Sequence, residues 1–323
     1  MFSQGRTPII TGFESTPEKL SASYCLECHR ETHGEWERGM HARAWSNAVF
    51  QEAFAQERRE WCVNCHAPLA AQNAAWHAEG SRAAILHEGI NCVACHVREG
   101  HILTRREGAC DGGPVRIHAD FGEADFCAGC HQFNFPVAFQ PIRYSDAPMQ
   151  NTYAEWRDSG SKYEGYQCHY AGHERGGSTN SARMSDTFYD FSVERLSPAV
   201  AHIAFHAVER GHLLPTGDLY RSVAVEAAYD PDFVEIYYRR RWARFFTSGQ
   251  RGQDAPAGMH WNRRLSRNSG LRPETKLISL TIDAPRSPVY VRLVRNLHDQ
   301  DLGGLSRLRK SERMTVLWST AIY

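Results

Sequence analysis

Apolar and polar residues alternate in two different ways along this chain. In residues 17–39 and 48–66, apolar residues recur at helical spacing between polar ones, which predicts short helices. Six later segments alternate with a period of two or are rich in β-branched and aromatic residues: 199–209, 220–230, 233–246, 275–284, 289–297 and 313–323. We therefore predict an α+β fold, with short helices and loops first and six or seven strands of an antiparallel β-sandwich after them.

The change of pattern predicts a domain boundary near residue 190. Residues 1–190 contain every cysteine, and residues 191–323 contain most of the β-rich segments, which we interpret as an Ig-like sandwich. A chain of 323 residues is long enough for two domains. Because short helices offer little apolar surface to each other, we expect bound cofactors to supply much of the first domain's core.

Composition excludes several partners and singles out two residue types. Lys and Arg number 37, as do Asp and Glu, so no net field favours nucleic acid or an anionic membrane. The basic run 237–246 therefore indicates a strand with arginines on its solvent face. No apolar run approaches the roughly 18 residues of a membrane helix, and residues 1–10 show no signal-peptide pattern. Ten Cys and 17 His are unusually many, and both types mark metal and cofactor sites.

Eight of the ten cysteines belong to four copies of the motif Cys-x-x-Cys-His. The copies are Cys25, Cys28 and His29; Cys62, Cys65 and His66; Cys92, Cys95 and His96; and Cys127, Cys130 and His131. Chance would give about 0.02 such matches at this composition, and the motif is typical of covalent attachment of haem c. Both thiols bond the porphyrin and the histidine ligates the iron. Zinc or thioredoxin-like sites would not need a histidine directly after each pair.

The irons need further axial ligands, and 13 histidines lie outside the motifs, 17 minus four. Methionine is scarcer and raises the potential, so we favour bis-His ligation. His41 lies twelve residues after His29, and His101 lies five residues after the third motif. His118 precedes the fourth motif, and His212 lies in a turn rich in Gly and Pro. These four are the first candidates; the second choices are His87, His173 and His169.

One segment looks like an altered fifth motif. Residues 164–173, EGYQCHYAGH, resemble residues 88–96, EGINCVACH, but contain a single cysteine. Cys168 is either a one-bond attachment point for a fifth haem, with His173 or His169 as ligand, or a thiol that pairs with Cys110 in a disulfide or stays free. Two thiols outside the complete motifs commonly pair in an oxidising compartment, which favours the disulfide. Loss of a fifth haem would leave a cavity that destabilises the fold, which favours the haem.

The motif order resembles that of bacterial multihaem c-type cytochromes related to the tetrahaem electron carrier of nitrifying bacteria. The likeness extends to Trp36-x-x-x-x-His41, to CHQFNFP after the fourth motif and to MQNTYAEW beyond it, while GHLLPTGDLYR and GLRPETKLISLTI resemble a β-sandwich found in a subgroup. Relatives often carry a complete fifth motif, which this chain lacks. The resemblance implies closely spaced bis-His haems, with His41, His118 and His212 as distal ligands and the last of these linking the two domains.

These observations predict electron transfer between redox partner proteins, in the periplasm or outside the cell. Covalent haem attachment in bacteria occurs outside the cytoplasm, so we expect this chain to be a mature, exported form without a transmembrane segment. No catalytic residue is required. The alternatives are a redox enzyme with one open axial position, which would need acid–base groups beside the iron, and a subunit of a conductive filament or of a larger membrane-associated complex.

Overall fold

The computed structural model describes residues 17–56, 58–98, 100–104, 115–117, 124–139, 141–159, 188–207, 212–213, 215–218, 220–243, 245–246, 259–260, 276–298 and 309–323. The chain divides into two compact units, one from Met1–Phe133 and Tyr163–Thr179, the other from Asn134–Lys162 and Asn180–Tyr323. The predicted boundary near residue 190 stays a prediction. Five candidate residues lie outside the described part of the chain: Cys110, His118, Cys168, His169 and His173.

The first unit is built from short helices, as the apolar spacing predicts. They are α1 (Ala22–Leu26), α2 (Arg30–Arg38), α3 (Ala48–Gln56), α4 (Glu60–His66), α5 (Ala70–Glu79), α6 (Cys92–His96) and α7 (Ala124–His131), with 3-10 turns at Pro17–Leu20, Gly80–Arg82 and Ala84–Glu88. Side chains cap two of the motif helices: Ser21 accepts the Ser23 N–H at α1, and Asn91 accepts the Ala94 N–H at α6. Such caps satisfy amides that have no partner within the helix.

Two small apolar clusters hold these helices together. The first joins Trp45, Phe54, Val63, Ala67, Ala83 and Leu86. The second joins Leu20, Leu69, Val93, Ala94 and Val97. Because the helices are short, each contributes only one or two side chains to a cluster. The unit therefore has cores of its own, but they are small for the length of chain that they organise.

Short strands follow the third motif. β1 (Val97–Arg98) pairs antiparallel with β2 (His101–Thr104), which pairs in parallel with β3 (Val115–Ile117). Further along, β4 (Phe133–Phe139) and β5 (Ile142–Gln150) form a two-stranded sheet, and α8 (Thr152–Ser159) follows. The sequence pattern indicates helices and loops throughout this region, so these strands are an addition to that expectation.

The second unit contains the β-sandwich. One sheet has the order β12-β7-β6, with β6 (Phe188–Ser197), β7 (Val200–Ala207) and β12 (Lys276–Asp283); the other has the order β14-β13-β8-β9, with β8 (Ser222–Ala228), β9 (Ile236–Ala243), β13 (Val289–Asn296) and β14 (Met314–Ile322). All pairings in both sheets are antiparallel. Outside these sheets, β10 (Phe245–Phe246) pairs with β11 (Met259–His260), and the helix α9 spans Lys310–Arg313.

Side chains from both sheets meet in a single cluster of 14 buried residues, which includes Ile203 and Phe205 of one sheet and Val225 and Leu293 of the other. The α+β fold with a C-terminal sandwich is therefore confirmed, with seven strands in its two sheets. β8 is buried at every position. On its outer side the Glu226 carboxylate accepts hydrogen bonds from Arg292 at 2.6 Å and from Arg239 at 2.8 Å.

Candidate haem sites

The helical backbone brings the three reactive groups of each motif together. In a helix, residues i, i+3 and i+4 lie on one face, which is the spacing of the two cysteines and the histidine. The second, third and fourth motifs each lie within one helix, α4, α6 and α7. The first runs from α1 to the start of α2, and the His29 N–H donates to the Cys25 carbonyl at 2.9 Å, which continues the helical bonding.

Two motif histidines are held in the orientation that a metal ligand needs. Nδ1 of His66 lies 2.7 Å from the Ala44 carbonyl oxygen, and Nδ1 of His96 lies 3.1 Å from the Leu103 carbonyl oxygen. Since a carbonyl oxygen only accepts, Nδ1 carries the proton and Nε2 keeps its lone pair. The His66 ring also stacks on Phe50, with ring centres 3.6 Å apart. A second hydrogen bond of this kind is typical of metal-ligating histidine.

The predicted distal ligand His41 lies beside the histidine of the fourth motif. The ring centres of His41 and His131 are 6.2 Å apart, with ring planes 36° from parallel. Two metal–imidazole bonds of about 2 Å each, with ring radii of about 1.1 Å, would separate two axial imidazoles by about 6 Å. The residues present therefore fit an iron held between His41 and His131.

The thiols of different motifs touch in pairs. The Cys25 and Cys92 side chains are hydrogen-bonded; this bond lowers the pKa of Cys25 and, together with burial, raises the pKa of Cys92. Cys65 and Cys130 are joined in the same way, so that the bond and burial raise the pKa of Cys65 while the bond lowers that of Cys130. The first motif is therefore adjacent to the third, and the second is adjacent to the fourth.

A polar clamp holds the first and third motifs in place. The Glu88 carboxylate accepts hydrogen bonds from the Ser21 hydroxyl and, at 2.9 Å, from the Ala22 N–H at the start of α1. The buried Asn91 side chain donates to Glu88 at 2.7 Å and to the Leu20 carbonyl at 2.8 Å. Because Glu88 and Asn91 also lead directly into α6, this clamp fixes one motif helix against the other.

A half-buried cation lies near the third and fourth motifs. The Arg98 guanidinium donates to the carbonyls of Val97 and Ala94, both at 2.7 Å. Burial lowers the pKa of Arg98, and electrostatic interaction with the thiols of Cys95 and Cys130 opposes that shift. Arg98 is therefore close to one cysteine of each of these two motifs.

The other described candidates lie elsewhere. His101 lies on β2 opposite Arg98, two residues before the Leu103 carbonyl that holds His96. His87 is exposed on the 3-10 turn Ala84–Glu88. The assignment of His101 and His87 as ligands stays a prediction.

His212 lies in a loop of the second unit that Glu155 of α8 organises. The buried Glu155 carboxylate accepts from the Leu213 N–H at 3.2 Å and from the Thr216 hydroxyl at 2.7 Å. Nδ1 of His212 lies 3.0 Å from the Leu213 carbonyl oxygen, the same arrangement as in His66 and His96. The loop thus holds the ring of His212 by the nitrogen that a metal would not use. Its role as a ligand stays a prediction.

Sequence reasoning missed the residues that orient the motifs. Ala44 and Phe50 hold His66, and Glu88 and Asn91 place the third motif. Only Asn91 carries a local signal, because Asn directly before a short helix is a common N-cap. Ala44 contributes a backbone carbonyl, and since every residue has one, the sequence cannot predict this hydrogen bond.

The comparisons with known proteins agree with these sites. Residues 24–97, which include the first three motifs, match the family model of cytochrome c554 and c-prime. The structure is similar to the crystal structure of a penta-heme cytochrome c552 from Thermochromatium tepidum, with a TM-score of 0.69 and 18% identity over 95% of this chain and 100% of that chain. No curated protein matches this chain. Together with the four motifs, these findings support a multihaem c-type cytochrome that binds haem c.

Within the described residues, no helix combines the length and the apolar character that crossing a bilayer requires.

Proposed function

We propose that this chain is an electron carrier with haem c bound at its four complete motifs. Each haem would be held by two thioether bonds from the eight motif cysteines and by His29, His66, His96 or His131 as proximal ligand. Bound haem would supply a one-electron iron couple. The residues of the chain place and orient the imidazoles, and transfer of single electrons requires no general acid or base from them.

The observation that carries this proposal is the contact between thiols of different motifs. Because Cys25 interacts with Cys92 and Cys65 interacts with Cys130, haems bonded to these sulfurs would be close neighbours in two pairs. Arg98 interacts with both Cys95 and Cys130, which brings the third and fourth motifs close. These contacts support a path on which electrons pass the haems of the first, third, fourth and second motifs in that order, which differs from the order of the motifs in the sequence.

Bis-His ligation is part of the proposal. The 6.2 Å separation from His131 supports His41 as the distal ligand at the fourth motif. His101, His118 and His212 are the first candidates for the other three irons, and His87, His173 and His169 follow. Hydrogen bonds from Nδ1 to backbone carbonyls raise the basicity of Nε2, so that His66 and His96 would be strong donors to iron.

The number of haems depends on Cys168. The two cysteines outside the complete motifs, Cys110 and Cys168, support four haems, with these thiols joined in a disulfide or left free. The similarity of EGYQC to EGINC supports the alternative, a fifth haem held by one bond to Cys168. Five haems are what the name of the structurally similar protein gives for that protein.

The cellular setting follows from the chemistry of attachment. Since bacteria attach haem c outside the cytoplasm, we propose a periplasmic or extracellular location, with redox proteins as partners. Further copies of this chain, or a larger membrane-associated complex, would be partners only if the carrier works as part of an assembly.

The first experiment is the intact mass of the denatured holoprotein before and after alkylation of free thiols. Four haem masses without alkylation indicate a Cys110–Cys168 disulfide, four with alkylation indicate free thiols, and five indicate attachment at Cys168. Fewer than four would contradict the proposal.

Spectroscopy of His41→Ala and of the control His77→Ala tests ligation. We expect one high-spin ferric haem in H41A, because its distal ligand is lost. We expect wild-type spectra in H77A, because His77 is not a candidate ligand and its side chain is 57% exposed, 3.5 Å from the Glu60 carboxylate. A high-spin haem in the wild-type protein that binds cyanide or nitrite would instead favour the redox enzyme. Haem spectra that change with protein concentration would favour the filament subunit.

A further inference from the structure

The turn at residues 41–44 is connected to three of the four motifs. Its first residue, His41, places its ring 6.2 Å from that of His131 in the fourth motif. Its last residue, Ala44, offers the carbonyl that accepts from Nδ1 of His66 in the second motif at 2.7 Å. The His41 carbonyl accepts the N–H of Ile90, two residues before the third motif, at 2.9 Å.

Gly89 is the point of closest approach between this turn and the third motif. It has a φ of +56°, and a Cβ atom added to it would lie 2.5 Å from the His41 carbonyl oxygen and 2.8 Å from that of Ala42. Both neighbours are backbone atoms, which cannot move aside without displacing the turn. Glycine is therefore required here for space as well as for conformation.

The segment around Gly89 is itself fixed from its other side. The buried Gln72 side chain donates to the Gly89 carbonyl at 2.9 Å, and the Trp36 indole N–H donates to the Ile90 carbonyl at 2.8 Å. Because these bonds hold the segment, a side chain at position 89 would displace the 41–44 turn rather than the segment. The turn would carry His41 with it.

We propose that Gly89 is a positioning residue, which locks the 41–44 turn against the third motif and thereby sets the axial ligation of the haem at the fourth motif. This inference rests on the proposed role of His41 as distal ligand. The same turn sets the hydrogen bond to His66, so that a change at position 89 reaches the haems of the second and fourth motifs together. The segment that leads into the third motif would thus affect two haems that are bound at other motifs.

The test compares Gly89→Ala with Gly80→Ala in the full-length holoprotein. Gly80 is a matched control, because its φ of +69° is similar but a Cβ atom there meets nothing within 4 Å. Loss of an outer contact to a metal ligand typically weakens its binding 10–100-fold. We therefore expect cyanide to displace the distal ligand of the fourth-motif haem about 10–100-fold more readily in G89A than in the wild type. We also expect the midpoint potential of the second-motif haem to shift, because the hydrogen bond from His66 to the Ala44 carbonyl is disturbed, and we expect neither change in G80A.

A second variant keeps the test decisive if G89A fails to accumulate. Trp36→Phe keeps an aromatic ring but removes the hydrogen bond to the Ile90 carbonyl, and we expect a smaller shift of cyanide affinity in the same direction. The inference is overturned if cyanide binds W36F, and G89A where it is obtained, no better than the wild type, or if it binds G80A as readily as G89A. An equal change in midpoint potential at every haem would point to general destabilisation and would also overturn it.

His41→Ala separates this inference from the proposed function on which it rests. A high-spin haem in H41A together with wild-type cyanide binding in G89A and W36F would leave His41 as a ligand and remove only the role of Gly89. A protein that has four haem masses and is fully low-spin in H41A would contradict the ligation itself.

Discussion

The two units of this protein are organised by different kinds of contact. In the sandwich, 14 buried residues from both sheets form one cluster, and the period-two pattern of the strands decides which side chains enter it. In the helical unit the clusters have six and five buried residues. Hydrogen bonds to backbone groups fix the helices there: the Gln72 and Asn91 amides donate to carbonyls, and the Glu88 carboxylate accepts from an N–H.

This difference between the units shows that the alternating pattern of the sandwich specifies burial, whereas the residues of the helical unit specify positions. Alternation in the sandwich maximises burial, and many side chains of similar size could replace one another. The helical unit instead places eight thiols and the motif histidines, and a shift of about 1 Å would separate a ligand from its metal. Its contacts are few and specific, so we expect its stability to depend on bound haem and the stability of the sandwich to depend on packing.

Preventing haem attachment is expected to have the largest effect on the difference between the two units. We expect the full-length chain, produced in a compartment that cannot attach haem, to lose amide protection throughout α4, α6 and α7, because clusters of six and five residues are too small to hold that unit. Hydrogen exchange read by mass spectrometry would show this, with β7 and β13 in the same sample as the internal control. Protection of α4 and α6 equal to that in the holoprotein would contradict the comparison.

The second experiment perturbs the sandwich instead of the helical unit, by truncating a side chain of its core. Phe205 is fully buried and stacks near Phe191, with ring centres 5.4 Å apart. We expect Phe205→Ala to lower the free energy of unfolding of the sandwich by about 3–5 kcal/mol, as large core truncations do. Leu277→Ala is the control, since Leu277 is 55% exposed, and it should stay within about 0.5 kcal/mol of the wild type.

Hydrogen exchange of the β7 and β13 amides in increasing denaturant measures both sandwich variants. We expect the exchange of α4 amides to stay the same in Phe205→Ala. A faster exchange of α4 would mean that the two units do not differ in the way described.

The smallest expected effect comes from cutting one polar clamp in the helical unit. Asn91→Ala leaves the Leu20 carbonyl without the amide that donates to it at 2.8 Å, which should cost about 1–3 kcal/mol in the free energy of unfolding of that unit. Asn73→Ala is the control, because its amide lies 3.4 Å from the carbonyls of Ala67 and Leu69 and long bonds are weak. If Asn73→Ala is as damaging as Asn91→Ala, hydrogen-bond direction is not what stabilises this unit.

The sequence predicts much of this architecture, for identifiable reasons. The Cys-x-x-Cys-His copies are visible because their residue types and spacing are local, and six strands are visible because alternation is local too. β6 was missed because Phe188–Ser197 crosses the change of pattern near residue 190. The sheet of β4 and β5 was missed because each strand contains a proline, Pro136 or Pro148, and proline within a run argues against a strand.

The arrangement of the sites is far less predictable. The spacing of His41 from His29 says nothing of its approach to His131, 90 residues later, because such a contact depends on the whole fold. The same holds for the thiol pairs, which join motifs that are not consecutive in the chain. Local patterns identify the groups that react, and only tertiary structure tells which of them are neighbours.

The clamp between Ser21 and Glu88 spans 67 residues, and this spacing has a consequence for biosynthesis. In a chain that crosses a membrane with its amino terminus first, the Cys25 motif emerges long before the segment that surrounds it in the finished protein. Closing so long a loop is slow compared with forming a helix. The enzymes that attach haem would therefore meet the first site as an open, flexible peptide, and the order of secretion would decide which sites are accessible to them.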